Sequence, residues 1–408
     1  MTKQKPNIYG LAGDNAEYVG NSRLINSKVE FTQKLSDFNN EQLGLKLKDT
    51  TETKVFLPFD GSDIRKPSTK KSEKIDRVRG LDGKIINGYH SYNTIAVTEN
   101  CHEISILEHT IFSTKEEDFL SKTDITLNLI KSTSENIKSI NAKLQRIFIL
   151  DREFDNQRLF EDMDNRGDKF VIRCKTLDRL VYQKEIEIPT TTTKLTTTTN
   201  LNKIKFKNKT TKKIKKLKLR SKTFQNLTLK LQWQKLGVID KHNKHGEINY
   251  YTFIKAKLLD SNKQPVFQED REFTIITNQD INSPEDVYQA YLNYFIRWKI
   301  ETVFKFLKDT LGLEEFRTPK LNAIKNIIAL VFLVGAYLFQ LGEVSVDDEF
   351  IIHLANLGDG KGQITPFFIR QGLAKLLNHL ETAEYLQKLK DSDQERLKSF
   401  GAGRCVRV

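Results

Sequence analysis

The run RIFIL, Arg146 to Leu150, constrains the fold of this chain more than any other stretch. Its apolar residues follow one another without a polar face, two of them isoleucine, so neither side of the segment suits water. A strand of that kind is buried on both sides, which requires a sheet with helices on both faces. The fold class expected is therefore α/β. Neighbouring segments agree. KVFLPF (54–59) reads as a strand, and SYNTIAVTEN (91–100) and HEISILEHTIF (102–112) read as two more, forming a hairpin that turns near Asn100. Residues 115–144 have helical texture, DNQRLFEDMDN (155–165) is helix-like and closed by Gly167, and KFVIRCK (169–175) is a further strand. Pro58 lies inside the first strand, where a central position would lose a ladder hydrogen bond, so a distortion is expected there.

The texture changes over 176–270, with alternating patterns such as KIKFKNK, LTLKLQW and YYTFIKAKLL. This reads as an all-β insertion within an α/β core. The threonine run TTTTKLTTTTN (190–200) reads as a low-complexity loop. Five segments result: a short helical or partly disordered N-terminal region (1–50), a first core part (51–175), the basic β insertion (176–270), a second core part (271–320) and a helical C-terminal region (321–408).

Charge points to the partner. The chain has 408 residues and a formal net charge of +13 with a pI near 9.3, so an acidic partner is expected, nucleic acid before anionic membrane. Cys101, Cys174 and Cys405 are scattered with no CxxC pairing, which implies neither a disulfide framework nor a zinc cluster and fits a reducing cytoplasm. MTKQKPNIYG has no apolar core of a secretory signal. IIALVFLVGAYLF (327–339) falls short of the roughly 20 residues a membrane span needs and reads as a buried helix.

The segment NSPEDVYQAYLNYFIRWKIETVFKFLKDTLG (282–312) reads as one long helix: Ser283 caps it, Pro284 suits its first position, Glu285 and Asp286 suit its positive end, and Gly312 stops it. At about 100° per residue, Tyr294, Arg297, Glu301 and Lys308 fall within roughly 60° of one another. They form one stripe. Arg297 and Glu301 are either a surface i,i+4 pair worth a few tenths of a kcal/mol or part of a site.

Tyr, two residues, Arg, three residues, Glu, six residues, Lys resembles the YREK signature of the DDE transposases of the insertion-sequence IS-4 family. Upstream, FILDREFDNQRLF resembles the family's second-aspartate segment, with Asp151 and Arg152 at a strand end. FLPFDGSDIRKP is similar to its first-aspartate segment, with Asp60 matching the aspartate, and NGYH (87–90) resembles the Gly-Tyr of the next strand. The likeness covers roughly residues 52 to 320. Asp63 is an alternative to Asp60, and Asp155 a rival to Asp151; Glu153 is expected to pair with a nearby base.

The resemblance implies an RNase H-like core, a mixed sheet flanked by helices, with the all-β insertion and helical N- and C-terminal regions. It implies Asp60, Asp151 and Glu301 as catalytic residues and ligands of two Mg²⁺ ions, with Mn²⁺ able to substitute. Hard oxygen donors suit such ions, and in-line phosphodiester displacement uses two of them. Tyr294, Arg297, Lys308, Arg152 and Lys66 would contact DNA. From the lysine run 203–222, Lys212, Lys213, Lys215 and Lys216 are expected to track a DNA backbone in a salt-dependent manner. The protein would bind double-stranded DNA, element terminal inverted repeats and target alike, as a homodimer, without membrane, in the bacterial cytoplasm at the nucleoid. Two other readings stand beside it: a metal-dependent nuclease on the same core, and an inactive DNA-binding derivative.

Overall fold

The expected buried strand is β6 (Gln145–Leu150), and its residues Ile147 to Leu150 are at most 1% exposed. The computed structural model describes residues 23, 25–26, 31–47, 51–99, 103–175, 178–183, 197–219, 222–239, 248–266, 273–344 and 349–376. Within them β6 pairs in parallel with β1 (Lys54–Gly61) on one side and β7 (Lys169–Arg173) on the other. Beyond β1, β4 (Ile85–Thr98) runs antiparallel and pairs in turn with β5 (Ile104–Phe112), the expected hairpin. The short β2 (Ile64–Arg65) and β3 (Asp76–Arg79) pair with the first half of β4, inside what the sequence presents as a polar connection.

The pleat sends alternate residues to opposite faces. Val55, Leu57 and Phe59 of β1, Phe148 and Leu150 of β6, and Phe170 and Ile172 of β7 share one core. It also contains Leu43 and Leu47 of α1 (Phe31–Leu47), Ile130 and Ile137 of α2 (Lys122–Ile140), and Phe160 and Met163 of α3 (Gln157–Asn165). The opposite face meets α4 (Pro284–Phe295) and α5 (Trp298–Lys305), which lie against β1, β6 and β7. A mixed sheet covered on both faces is the α/β, RNase H-like arrangement expected. Helix α1 takes part in this core, and Asn39 donates to the carbonyl of Leu107 at 3.1 Å.

Pro58 is accommodated rather than excluded. Parallel pairing with β6 continues through Pro58, opposite Ile149. Pairing with β4 holds at Val55 and Phe56 and from Phe59 to Gly61 but lapses between them. The lapse faces the point where β4 shifts register against β5, between Thr94 and Ile95, so the missing N–H falls at an irregularity.

The insertion supplies β8 (Leu180–Gln183), β9 (Thr197–Asn200), β10 (Asn208–Leu219), β11 (Lys222–Ile239) and β12 (Ile248–Leu259). It does not stand apart as a subdomain. β12 pairs with β13 (Phe273–Thr277) and β13 with β7, so the insertion lengthens the core sheet. Sequence patterning shows strands but not which strand they join, since pairing across long connections carries no local signal. The threonine run is corrected in part: Thr197–Asn200 is strand β9, paired with β8, and its other residues lie outside those described, as do Asn100, Cys101, Cys405 and the tail 401–408.

The chain divides into two compact units, 1–333 and 334–408, with the boundary inside α6 (Leu321–Val344). This helix is longer than its apolar stretch, and Leu321–Gly342 is long and apolar enough by length and composition to cross a membrane. The part up to Leu333 nevertheless behaves as a core helix. Lys325 pairs with Glu116 at 2.6 Å, Asn326 donates to Ile25 O at 2.8 Å, and Phe332 stacks on His109 at 4.2 Å. The second unit holds the end of α6 and α7 (Glu349–Leu357), with Lys375 donating to Leu357 O at 2.8 Å.

Gly88 of β4 is squeezed between β2 and β3. A Cβ there would stand 2.4 Å from both Ile64 O and Val78 Cγ2. Gly88→Ala is expected to cost about 1–3 kcal/mol through overpacking, read as a lower urea midpoint; an unchanged midpoint would contradict the crowding.

Candidate active site

Register alone brings two of the expected aspartates together. Phe59 of β1 lies opposite Leu150 of β6 in a parallel pair, so Asp60 and Asp151 occupy the next rung, on strands about 4.8 Å apart. Asp60 is the penultimate residue of β1, and Asp151 opens the 3₁₀ turn Arg152–Phe154. Phe154 anchors that turn, edge-on to Phe59 at 4.9 Å. Gly61, next to Asp60, has to be small: a Cβ would lie 2.9 Å from Glu153 Oε1 and 3.2 Å from the Tyr92 ring.

The helical segment starts as expected, with Ser283 and Asp286 forming a reciprocal capping box and Pro284 at the first position. It then departs from a single helix. Between α4 and α5 the hydrogen bonds tighten to i→i+3, from Ile296 to Asn293 (3.0 Å), Arg297 to Tyr294 (3.2 Å), Lys299 to Ile296 (2.9 Å) and Ile300 to Arg297 (3.1 Å). Phe306–Thr310 forms a π turn, and Gly312 ends the segment at φ +67°. No proline or glycine signals the break. It coincides with tertiary contacts: Tyr291, Tyr294 and Phe295 pack on Phe273, and Arg297 is held by two carboxylates.

Those bonds define the site. Arg297 Nη1 donates to Asp60 Oδ2 at 2.6 Å and Nη2 to Glu301 Oε1 at 2.8 Å, while Tyr294 Oη donates to Asp151 Oδ1 at 3.0 Å. Tyr294 and Arg297 are 5% and 7% exposed, so their bonds lie largely out of water. Among the described residues the buried Arg297 Nε–H meets no hydrogen-bond partner. The i,i+4 pair is thus half-covered, with Arg297 buried and the Glu301 side chain 37% exposed.

Electrostatics separates the two aspartates. Burial pushes Asp60 up to about 7, with Glu153 and Asp151 adding to it and Arg297 opposing. Asp151 is also desolvated, yet Arg297, the Arg152 N–H and the Tyr294 hydroxyl hold it below its ordinary value. Burial and the Asp151 charge push the Tyr294 hydroxyl up, so it stays a proton donor.

Carboxylates in excess of cations are chemically suited to a hard divalent ion. The spacing here is not that of a formed metal site. Among the described residues, no three Asp, Glu, His or Cys side chains are gathered so as to hold an ion. The Arg297 guanidinium sits between Asp60 and Glu301 and offsets their charge.

The remaining expected residues fall into two groups. Lys308 donates to Asp63 O at 2.7 Å and pairs with Glu314 at 3.2 Å; Glu314 also pairs with Arg65 at 3.0 Å. Lys66 donates to the carbonyls of Glu314 and Phe316, and burial brings it down to about 8 against the pull of Glu314 and Glu315. Lys212 pairs with Glu285 at 2.7 Å over the Tyr288 ring. All three are engaged internally. Arg152, Lys213, Lys215 and Lys216 are exposed. The rival acids sit elsewhere: Asp63 bonds His90 Nδ1 at 2.9 Å, and Asp155 pairs with Arg179 and accepts from Lys175 N at 2.8 Å. Glu153 corrects its expectation, making no ion pair among the described residues. It reaches back over Gly61 as an additional acid of the site, a role whose sequence trace is only its place two residues after Asp151. Glu314 had no motif to reveal it, although two of its basic neighbours, Lys66 and Lys308, lie in the segments that resemble the family's.

Residues 52–336, more than half of the chain, match a family model described as the transposase DDE domain. No curated protein matches the chain.

Proposed function

This chain belongs to the transposase DDE domain family, and from that membership we propose that it cuts DNA at the ends of an insertion sequence and transfers the freed 3′ end into target DNA. The observation that supports this most is the convergence of Asp60, Asp151 and Glu301 about Arg297 and Tyr294. A buried carboxyl raised to about 7 beside two further acids is the kind of perturbed group that collects at functional sites. We assign the chain to the IS-4 group on Tyr294, Arg297, Glu301 and Lys308.

Asp60, Asp151 and Glu301 would hold Mg²⁺, or Mn²⁺ in its place. Held there, such ions would supply the positive charge that favours an attacking oxygen and a leaving one in phosphodiester displacement. The protein's own groups do the rest. Tyr294 orients Asp151 through its hydroxyl. Arg297 keeps the acids together before ions and DNA arrive, and once replaced is free to meet a phosphate with its planar fork. Exposed Arg152 is assigned to the DNA beside the cut, and Lys308 and Lys66 would join it only on leaving their internal partners. The acting form would be a homodimer on DNA, in the bacterial cytoplasm at the nucleoid.

The test is incubation of the protein with a duplex carrying the inverted repeats that flank its gene, with Mg²⁺ or Mn²⁺. Metal-dependent nicks and joined products are expected. Nicks without joining would make it a nuclease, and binding without cutting would leave a DNA-binding derivative. The pH dependence follows from Asp60. Its carboxyl, raised to about 7, is protonated below that pH and then cannot bind an ion. At sub-saturating metal, cutting is expected to rise roughly tenfold from pH 6 to pH 8; a flat profile would remove Asp60 from the metal set.

A further inference from the structure

We propose that one face of the β10–β11–β12 sheet is a docking surface for the sugar–phosphate backbone of duplex DNA, formed by Lys209, Lys213, Lys215, Lys230 and Lys257. The proposal rests on the transposase reading but names a surface outside the acidic site and different from the lysine run as a whole.

The pleat sorts the run. Lys209 lies opposite Gln232, which lies opposite Lys255; Thr211 lies opposite Lys230, and Lys230 opposite Lys257; Lys213 lies opposite Thr228. Alternate strand residues share a face, so Lys209, Lys213 and Lys215 join Lys230 and Lys257 on one side. Lys212 is on the other side, beside Leu229 and Leu258, where Leu227, Leu229 and Leu231 are buried. Its ion pair with Glu285 ties that side to α4. Lys216 shares the Lys212 side.

The first side is open and uncompensated. Lys209, Lys213, Lys215 and Lys230 are exposed and Lys257 is half-buried. Among the described residues none of the five has an acidic partner, and the three strands contain no Asp or Glu at all. Lys230 and Lys257 even face each other directly, a like-charge cross-strand pair that costs stability unless an anion is present.

The charge is matched by a polyanion, and the intervening side chains favour DNA over a lipid surface. Thr211, Thr228 and Gln232 are hydrogen-bonding groups of the kind that meet phosphates and sugars. A membrane face would instead carry aromatic and aliphatic anchors throughout, and on this side the partly exposed apolar groups are confined to Leu217 and Phe224 near the β10–β11 turn. Lysines two apart on a strand are about 6.8 Å apart, close to twice the roughly 3.4 Å axial spacing of charges along one DNA strand.

The experiment is binding of the full chain to a short random-sequence duplex without divalent ions, across about 50 to 200 mM salt. Changing Lys213, Lys215, Lys230 and Lys257 together to Gln should flatten the slope of log K against log salt by about 3.6, near 0.9 for each phosphate that is no longer neutralised. The same change at Lys131, Lys138, Lys143 and Lys361, exposed lysines outside these strands, should leave it nearly unchanged. Lys→Arg at the four face positions should restore the slope, separating charge from folding. Equal flattening by both sets, or no flattening by the face set while the wild type binds, would overturn the proposal. Loss of binding only to phosphatidylserine vesicles would overturn it in favour of a membrane surface. Failure of the wild type to bind the duplex at all would instead count against the transposase reading.

Discussion

Glu301→Ala is expected to lower metal-dependent DNA cleavage by about 10³-fold or more, the rate equivalent of the several kcal/mol that a bound ion contributes to the developing charge. The glutamate stands on α5, opposite the strand ends that carry Asp60 and Asp151, and shares the Arg297 guanidinium with Asp60. Without it the proposed ion set would lose its one ligand from outside the sheet. Stability should change little by comparison, because the Glu301 side chain is 37% exposed and its attraction to Arg297 is screened by water. The decisive comparison is the single-turnover cutting rate beside duplex affinity. A rate within tenfold of wild type would show that Glu301 is not a metal ligand, whereas lost affinity together with lost cutting would point to misfolding. Glu301→Gln, which keeps the size and removes the charge, should lose cutting to a similar extent.

The largest effect on stability is expected at Asp168, far from this chemistry. Its side chain is fully buried and accepts from Arg146 Nε at 2.6 Å, Arg166 Nε at 3.1 Å and Ser134 Oγ at 2.8 Å. Its carbonyl accepts from Asn278 at 2.8 Å. One carboxylate thus ties α2, the start of β6 and the end of α3. Asp168→Ala strands the buried guanidinium of Arg146 and should cost about 3–5 kcal/mol, measured as the change in unfolding free energy in urea. Replacing Arg146 and Asp168 together by leucines should cost much less, since the penalty comes from the unpaired charge and not from loss of attraction. A double variant as unstable as the single one would contradict that account.

The readable parts of the molecule were those set by neighbours in sequence. The run at 147–150 announced a strand buried on two faces, and alternation marked β10 to β12. Ser283, Pro284 and Gly312 marked the ends of the glutamate-bearing segment because caps depend on a few adjacent residues. Of the residues in the YREK spacing and the two aspartate segments, the fold gathers Tyr294, Arg297, Glu301, Asp60 and Asp151, whereas Lys308 turns to Asp63 and Glu314. Less readable was the continuity of the insertion with the core sheet, because β12 meets β13 and β13 meets β7 across long connections. The break at Ile296–Arg297 was invisible for a related reason: each residue there is a competent helix former, and the competing contacts come from Phe273 and Asp60.

The amino-acid sequence by itself determined the class of fold, the order of its segments, the cationic character and the acidic residues available for chemistry, since these depend on composition and local periodicity. Only the tertiary structure decided what each charge does. Arg297 became a bridge between Asp60 and Glu301, Lys66 and Lys308 turned inward, and Glu153 was brought over Gly61. The pleat divided one lysine run between a covered and an open face. Those outcomes depend on register and burial, which arise when distant segments meet, and a side chain's partner and its proton affinity are properties of that meeting.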